Sequence, residues 1–385
     1  MNLNEVKEIR KRFRPDDDNI QRVFGCYVNA AKEIVTKIDM SLGLMEQNER
    51  ELYYNLLKKS VSGTLDKNLI DIEFTTAQVE NSLEHKLLQD LRKSHLQDET
   101  LRDELYKKII DNLEFEEQSY VILLAADTYD VPFKGSDDEL FDEGSSEVFE
   151  YFVCCVCPVK DAKSALRYES SEKAFRGSST GHILAAPELG FMFPTFDDRS
   201  TNLYNLLYYS RSAADIHYEF IQGVFNVEKL PMSAVAQKEA FSDCLSLSLQ
   251  DQCSLEIVQA VHSDIREKLA IHKESKEPES PEIYIDDVND ILHSNGISDD
   301  VIDTFNEHCK NTLGDTEVFN PNNLMEAKKF EMATPEVKIT ADPEYAYRIK
   351  AEIIDGRKYI MIPADSDVTV NGITINIADN TNTEE

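Results

Sequence analysis

The sequence predicts an α+β protein: a central, mostly antiparallel sheet with helices packed on it, a helical segment, and a small C-terminal antiparallel β module. Three observations carry this expectation. Tyr120 to Tyr129 and Val148 to Pro158 are short apolar runs rich in β-branched and aromatic residues, closed by Pro132 and Pro158, as in neighbouring strands buried on both faces. Stretches on either side space their apolar residues by three and four, the period of amphipathic helices. The end of the chain carries strand-like segments joined by Asp355-Gly356 and Asn371-Gly372, two-residue hairpin turns.

Composition limits the classes of function. A chain of 385 residues that is 41% hydrophobic can build real cores. No run approaches the roughly 20 apolar residues of a membrane helix, and MNLNEVKEIRKRF has charges where a signal peptide has its apolar region, so a cytoplasmic protein without a membrane role is expected. Seven cysteines, three of them in one predicted strand, fit reduced thiols in a core. A net charge of −33 repels the phosphate polyanion, so any contact with nucleic acid is expected to be weak or indirect and to need a local basic patch.

Residues 1–118 read as a hairpin plus helices. Val6, Ile9 and Phe13 give the first helix an apolar side. Arg10, Lys11, Arg12 and Arg14 form the chain's basic patch, read either as a solvated helix face or as a phosphate contact. A hairpin turns at Asn29 to Lys32, and three helices are expected from Leu52 to Leu57, Val79 to Leu91 and Leu101 to Leu113. Residues 119–272 form the α/β core. Its acidic loop, Gly135 to Glu150, lacks the spacing of a calcium loop, so a solvated loop is expected and no metal site. On a strand, Cys154 and Cys157 of the nominal C-x-x-C point to opposite faces and could not share a metal. Gly177 to Gly181 matches G-x-S-x-G around Ser179 without the apolar strand that motif needs. After the strand Gly190 to Phe196, Ser200 or Thr201 is expected to cap a helix bearing Leu203, Leu206 and Leu207, with Asp197 and Asp198 beside its N-terminus. Arg199, between an apolar strand and that helix, must find a carboxylate, a carbonyl or a ligand phosphate.

Helices are expected over Val235 to Leu249 and Leu255 to Leu269. A charged linker at 273–282 precedes an acidic helical pair at 283–326, whose outline is that of a helix-turn-helix but whose carboxylates oppose DNA. A β-meander at 327–377 and a disordered tail at 378–385 end the chain.

The segments VILLAADTYDVP, EYFVCCVCPV, GFMFPTFDDRSTN, AQKEAF, KKFEMATPEVKI and IIDGRKYIMIPADSDVTVNGI resemble, over nearly the whole chain, a bacterial family defined as a domain of unknown function. More distantly, the order of parts is similar to that of the bacterial 37-kDa nucleoid-associated protein family, through Phe196, Arg199, Ala234, Gln237, Lys329 and Phe330. Asp197 and Asp198 depart from the Gly-Arg pairing of that family. The second resemblance implies a cytoplasmic, dimeric, nucleoid-linked protein that is not an enzyme.

The first expectation is therefore a non-enzymatic nucleoid-associated-like or protein-interaction module, with protein partners, a homodimer among them, and no cofactor. Arg10, Lys11, Arg12, Arg14 and Arg199 are its candidate binding residues, with Asp197, Asp198 and Ser200 as neighbours. One alternative is an acidic DNA mimic that binds basic DNA-binding proteins. The other is a hydrolase, using a metal held by Asp197, Asp198 and His182 or Asp127, or using Ser179 as nucleophile.

Overall fold

A computed structural model describes residues 1–377, except 18, 116, 135–139, 162–165, 172, 178–180, 315–317 and 366–367, and gives the backbone alone at 133–134, 140–146, 166–167, 169 and 177. Ser179, Asp137, Asp138, Glu139 and the tail therefore lie outside the described residues. The chain divides into two compact units: Met1–Gln237 with Glu277–Ser280, and Lys238–Lys276 with Pro281 onward.

The first unit runs α1 (Leu3–Lys11), β1 (Arg22–Val28), β2 (Ile34–Ser41), α2 (Gln47–Lys59), β3 (Leu69–Glu73), α3 (Thr76–Asn81), α4 (Leu83–Lys93), α5 (Glu99–Asn112), β4 (Tyr120–Lys134), β5 (Leu140–Asp161), β6 (Leu166–Glu169), β7 (Ala174–Gly177), β8 (His182–Leu184), β9 (Leu189–Phe193), β10 (Thr195–Asp197), β11 (Ser200–Asn202), β12 (Asn205–Ser210) and α6 (Tyr218–Phe225). One antiparallel sheet orders its strands β2-β1-β4-β5-β9-β12-β3, with β8 paired to the end of β5. Its centre is the β4–β5 ladder, which sets Leu124 opposite Cys154 and Asp127 opposite Tyr151.

Side chains alternate across a strand, so each apolar run feeds two cores. Ile122, Leu124, Phe152 and Cys154 pack with Leu88 of α4, Ile109 of α5 and Phe220 of α6 on one face. Val121, Leu123, Val153, Cys155 and Cys157 pack with Ile9 of α1 and Leu57 of α2 on the other. Burial on both sides explains why these strands show no polar alternation. Cys154 and Cys157 lie in opposite cores, as strand geometry requires. On β1, Gly25 is needed because a Cβ there would run into the Ile122 carbonyl.

The structure corrects four expectations here. The segment containing Leu203, Leu206 and Leu207 is not a capped helix: Asp198 and Arg199, with φ of 49° and 57°, form the turn of the β10–β11 hairpin, and β12 enters the sheet between β9 and β3. Ser200 thus begins a strand. Buried all along, Leu206 to Tyr209 show no strand alternation, and the leucine spacing mimicked a helix. The helix expected over Val79 to Leu91 breaks at Ser82, whose side chain accepts a hydrogen bond from the His85 amide and caps α4. β3, which pairs with β12, was not anticipated. Of the stretch expected as an acidic loop, Asp142, Glu143, Glu147 and Glu150 lie within β5 instead.

After α7 (Ala234–Leu249), the second unit contains α8 (Leu255–Ser275), β13 (Ile283–Tyr284), α9 (Ile285–Ser294), α10 (Asp299–Leu313), β14 (Val318–Phe319), α11 (Pro321–Leu324), β15 (Phe330–Ala333), β16 (Lys338–Ala341), β17 (Lys350–Ile354), β18 (Arg357–Met361), β19 (Val368–Val370) and β20 (Ile373–Ile375). α8 extends through Ser275, inside the stretch read as linker. Phe241 meets Phe305 at 6.4 Å, and Ser248 Oγ meets His308 Nδ1 at 2.9 Å. The C-terminal strands pair as three separate ribbons, β15–β16, β17–β18 and β19–β20, and not as one meander. Asp355-Gly356 and Asn371-Gly372 have positive φ throughout, as the hairpin turns demand.

Candidate functional site

The predicted site residues gather where α1 lies on the sheet. Asn2 and Glu5 close a capping box at the start of α1, and Val6 and Ile9 bury its apolar side. Arg12, at the end of the helix, reaches across to β4. Its Nε and Nη2 donate to the two carboxylate oxygens of Asp127 at 2.9 and 3.0 Å, and Nη2 also donates to the Thr128 carbonyl at 3.3 Å. Asp127 is 4% exposed and also accepts from the Tyr151 hydroxyl at 2.9 Å. The Arg12 guanidinium stands 4.8 Å from the Tyr129 ring centre. Burial pulls the pKa of Arg12 down, but the hydrogen bonds and charge of Asp127 outweigh it, so the net shift is upward.

One turn back on the helix, Glu8 accepts from the Tyr129 hydroxyl and from Arg199 Nη1, both at 2.6 Å, while Arg199 Nη2 donates to the Pro132 carbonyl at 2.9 Å. The carboxylate and the carbonyl that Arg199 required are therefore supplied from within the chain. Asp197 lies 2.5 Å from the Met1 amine and accepts from Thr195 Oγ1 and Asn202 Nδ2 at 2.7 Å each. Burial pushes its carboxyl up, yet the amine and those two donors hold it below the ordinary aspartate value. Ser200 Oγ donates to the Asp197 carbonyl at 3.2 Å, and Asp198 is exposed in the turn.

The structure thus brings together Arg12 and Asp127, and Arg199 with Glu8, each in a satisfied ion pair. It leaves Lys11 and Arg14 exposed and Arg10 half-buried. The basic side chains in the last turn, Arg10 and Lys11, suit the negative end of the helix dipole. His182 is elsewhere: β8 pairs it with Asp161, whereas Asp127 pairs with Tyr151, ten residues back along β5 or roughly 33 Å at the rise of a strand. Glu8, Tyr129 and Tyr151 were not anticipated. The four-residue spacing of Glu8 and Arg12 was the available signal, but it suggested a pair along the helix and not two contacts to the sheet.

Beside this network opens a cleft of about 510 Å³, bordered by Arg12, Asn19, Gln21, Arg22, His95 and Thr128. Its basic side chains each have a carboxylate partner: Arg12 meets Asp127, Arg22 meets Asp39 at 2.5 Å, and His95 meets Glu150 at 3.3 Å. Among the described residues, no three His, Cys, Asp or Glu side chains stand close enough to hold a metal ion. Burial raises the Cys26 thiol to about 12 and carries Cys154 well above the ordinary thiol range. No helix among the described residues is long and apolar enough to cross a membrane.

The other conspicuous surface is in the second unit. The three C-terminal ribbons expose Ile353 by 70% and Ile373 by 68%, together with Ile354, Tyr359 and Ile360, and the segments that flank their strands expose Tyr347 by 73%, Val337 and Ile362. A groove of about 660 Å³ lies between β15–β16 and β17–β18, lined by Met332, Val337, Ile339, Ile353, Tyr359 and Ile360. On the α9–α10 pair, Asp286, Asp290, Asp299, Asp300, Asp303 and Glu307 are exposed.

A family model described as "Domain of unknown function (DUF4317)" matches residues 1–373. No curated protein matches the chain.

Proposed function

We propose that the chain, which belongs to that family, works as a protein-interaction module whose binding surface is the set of C-terminal ribbons. The observation that carries this reading is the concentration of large, exposed aliphatic and aromatic side chains there. Exposed apolar surface of that kind costs free energy in water, which is recovered when a partner covers it. The charge agrees. Residues 327–377 carry seven basic and eight acidic residues, against 40 and 73 in the whole chain, so a protein can approach this part without the repulsion felt elsewhere.

Direct contact with the nucleoid through Arg12 and Arg199 finds less support, because both guanidiniums are held by Asp127 and Glu8. A hydrolytic reading that joins His182 to Asp127 finds less still, given their separation along β5. A second reading has one observation in its favour: the exposed carboxylates of α9 and α10 would suit a basic DNA-binding protein that takes the pair for a polyanion.

Affinity purification of the full chain, with and without nuclease, tests the reading. Protein partners, a second copy of the chain included, should be recovered after nuclease treatment and lost when Tyr347 and Ile353 are replaced by serine and aspartate. Recovery that needs intact nucleic acid, or that ignores those replacements, refutes it. Loss on replacing Asp299, Asp300 and Asp303 by asparagine would favour the mimic.

A further inference from the structure

We infer that the partner of the C-terminal surface is a second copy of this chain, joined by antiparallel pairing of β18 with its counterpart into a four-stranded sheet. This rests on the interaction reading above and names its occupant.

Among the described residues, β17 and β18 pair only with each other. A lone two-stranded ribbon is marginally stable in water, and its unpaired strand edges are templates for further pairing. The edge of β17 is the poorer candidate. Its root is held against α8, where Gln259 Nε2 donates to the carbonyls of Ala346 and Ile349 at 2.7 and 3.1 Å, and Ala346 and Ile349 are buried with Phe330. Pairing β17 with its own copy about its midpoint would also set Glu352 against Glu352.

The edge of β18 has neither difficulty. In an antiparallel pair centred on Tyr359, Arg357 faces the second copy's Met361, Lys358 faces its Ile360, and the two tyrosines face each other. No like charges are opposed. A shift that centres the pair on Lys358 would oppose two lysines, and one that centres it on Ile360 would give up the Tyr359–Tyr359 aromatic pair, so the pair centred on Tyr359 is favoured. In the ribbon, Ile360 stands opposite Ala351 and Ile353 opposite Lys358, so these four share a face. Pairing the ribbons edge to edge sets the aliphatic stem of Lys358 against the second copy's Ile360 on that face, which shields part of each isoleucine from water.

Charge also decides against a single-stranded nucleic acid stacking on Tyr345, Tyr347 and Tyr359. The module has no positive excess with which to release counterions, and most of its exposed large apolar side chains are aliphatic.

Sedimentation of the full chain at micromolar concentration should give twice the 43.9 kDa chain mass. Ile360→Lys would oppose lysines at both symmetry-related positions and should weaken association on the order of tenfold or more. Adding Lys358→Glu turns each like pair into an opposite pair and should restore the dimer, a rescue that misfolding cannot imitate. Tyr359→Cys should cross-link two chains under mild oxidation, and Glu352→Cys should not. A wild-type monomer overturns the inference, as does a dimer that is indifferent to Ile360→Lys and is not cross-linked through Tyr359→Cys. If the monomer instead binds a different protein through the same ribbons, the inference fails and the interaction reading stands. If it binds only a single-stranded oligonucleotide, or nothing, both fail.

Discussion

The ion pair between Arg12 and Asp127 makes a sharp prediction, because its two halves differ in burial. The Asp127 side chain is 2% exposed and that of Arg12 is 21% exposed. In Arg12→Ala the carboxylate stays in the interior with only the Tyr151 hydroxyl as a hydrogen-bonding side chain. Removing one partner of a buried pair costs about 3–5 kcal/mol, and the partial exposure of Arg12 places this case near the lower end, at about 3 kcal/mol. In Asp127→Ala the guanidinium can turn toward solvent while keeping the Tyr129 ring, so the loss is about 1–2 kcal/mol. The double variant removes the stranded charge and should cost less than the sum of the singles, with a coupling of about 1.5–2 kcal/mol. The chain has no tryptophan, so urea unfolding is best followed by far-ultraviolet circular dichroism. With an m-value near 3 kcal/mol/M, Arg12→Ala should move the midpoint of the first unit by about 1 M. The reasoning is refuted if Asp127→Ala is the more damaging single change, or if the two effects add.

Three further outcomes are expected. Arg199 occupies the left-handed position of the β10–β11 turn, so Arg199→Gly should be about 1 kcal/mol more stable than Arg199→Ala, since both lose Glu8 and only glycine escapes the backbone penalty; equal unfolding midpoints would contradict this. His85 is fully buried between Phe74 and Phe193, and burial depresses its pKa. The unfolded chain then binds more protons below about pH 6.5, so its contribution to stability is complete above that pH and is lost on acidification toward the folded pKa; His85→Phe should flatten this part of the curve measured between neutral and mildly acidic pH. Of the seven cysteines six are buried, so an aromatic disulfide reagent at mildly alkaline pH should modify at most the half-buried Cys253 in the native chain and the other six only after unfolding, and rapid reaction of two or more native thiols would contradict the assigned burial.

Much of the fold was legible in local residue patterns. The runs at Tyr120 and Val148 announced strands buried on both faces, because an alternating geometry with two apolar environments leaves no polar period. The turns at Asp355-Gly356 and Asn371-Gly372 announced hairpins, because few residue pairs tolerate positive φ twice. The helices α9 and α10 followed from their spacing. The same local reading failed at Leu203 to Tyr209. A central strand and a short helix can share one leucine spacing there, and the choice was made by β9 and β3, which supply hydrogen-bond partners on both sides.

The residue types of the candidate site could be named in advance, but their partners could not. Arg12 meets Asp127 across 115 positions, and Arg199 meets Glu8 across 191. Such pairs depend on which helix lies over which strand, and that is settled by the burial of α1 against the sheet and not by anything near either residue in the chain. Apolar period and turn chemistry act over a few residues and so can be read in order along the polymer. Ionic partnership, and the question of whether a ribbon edge stays open, depend on what distant segments cover, so they emerge when the layers close.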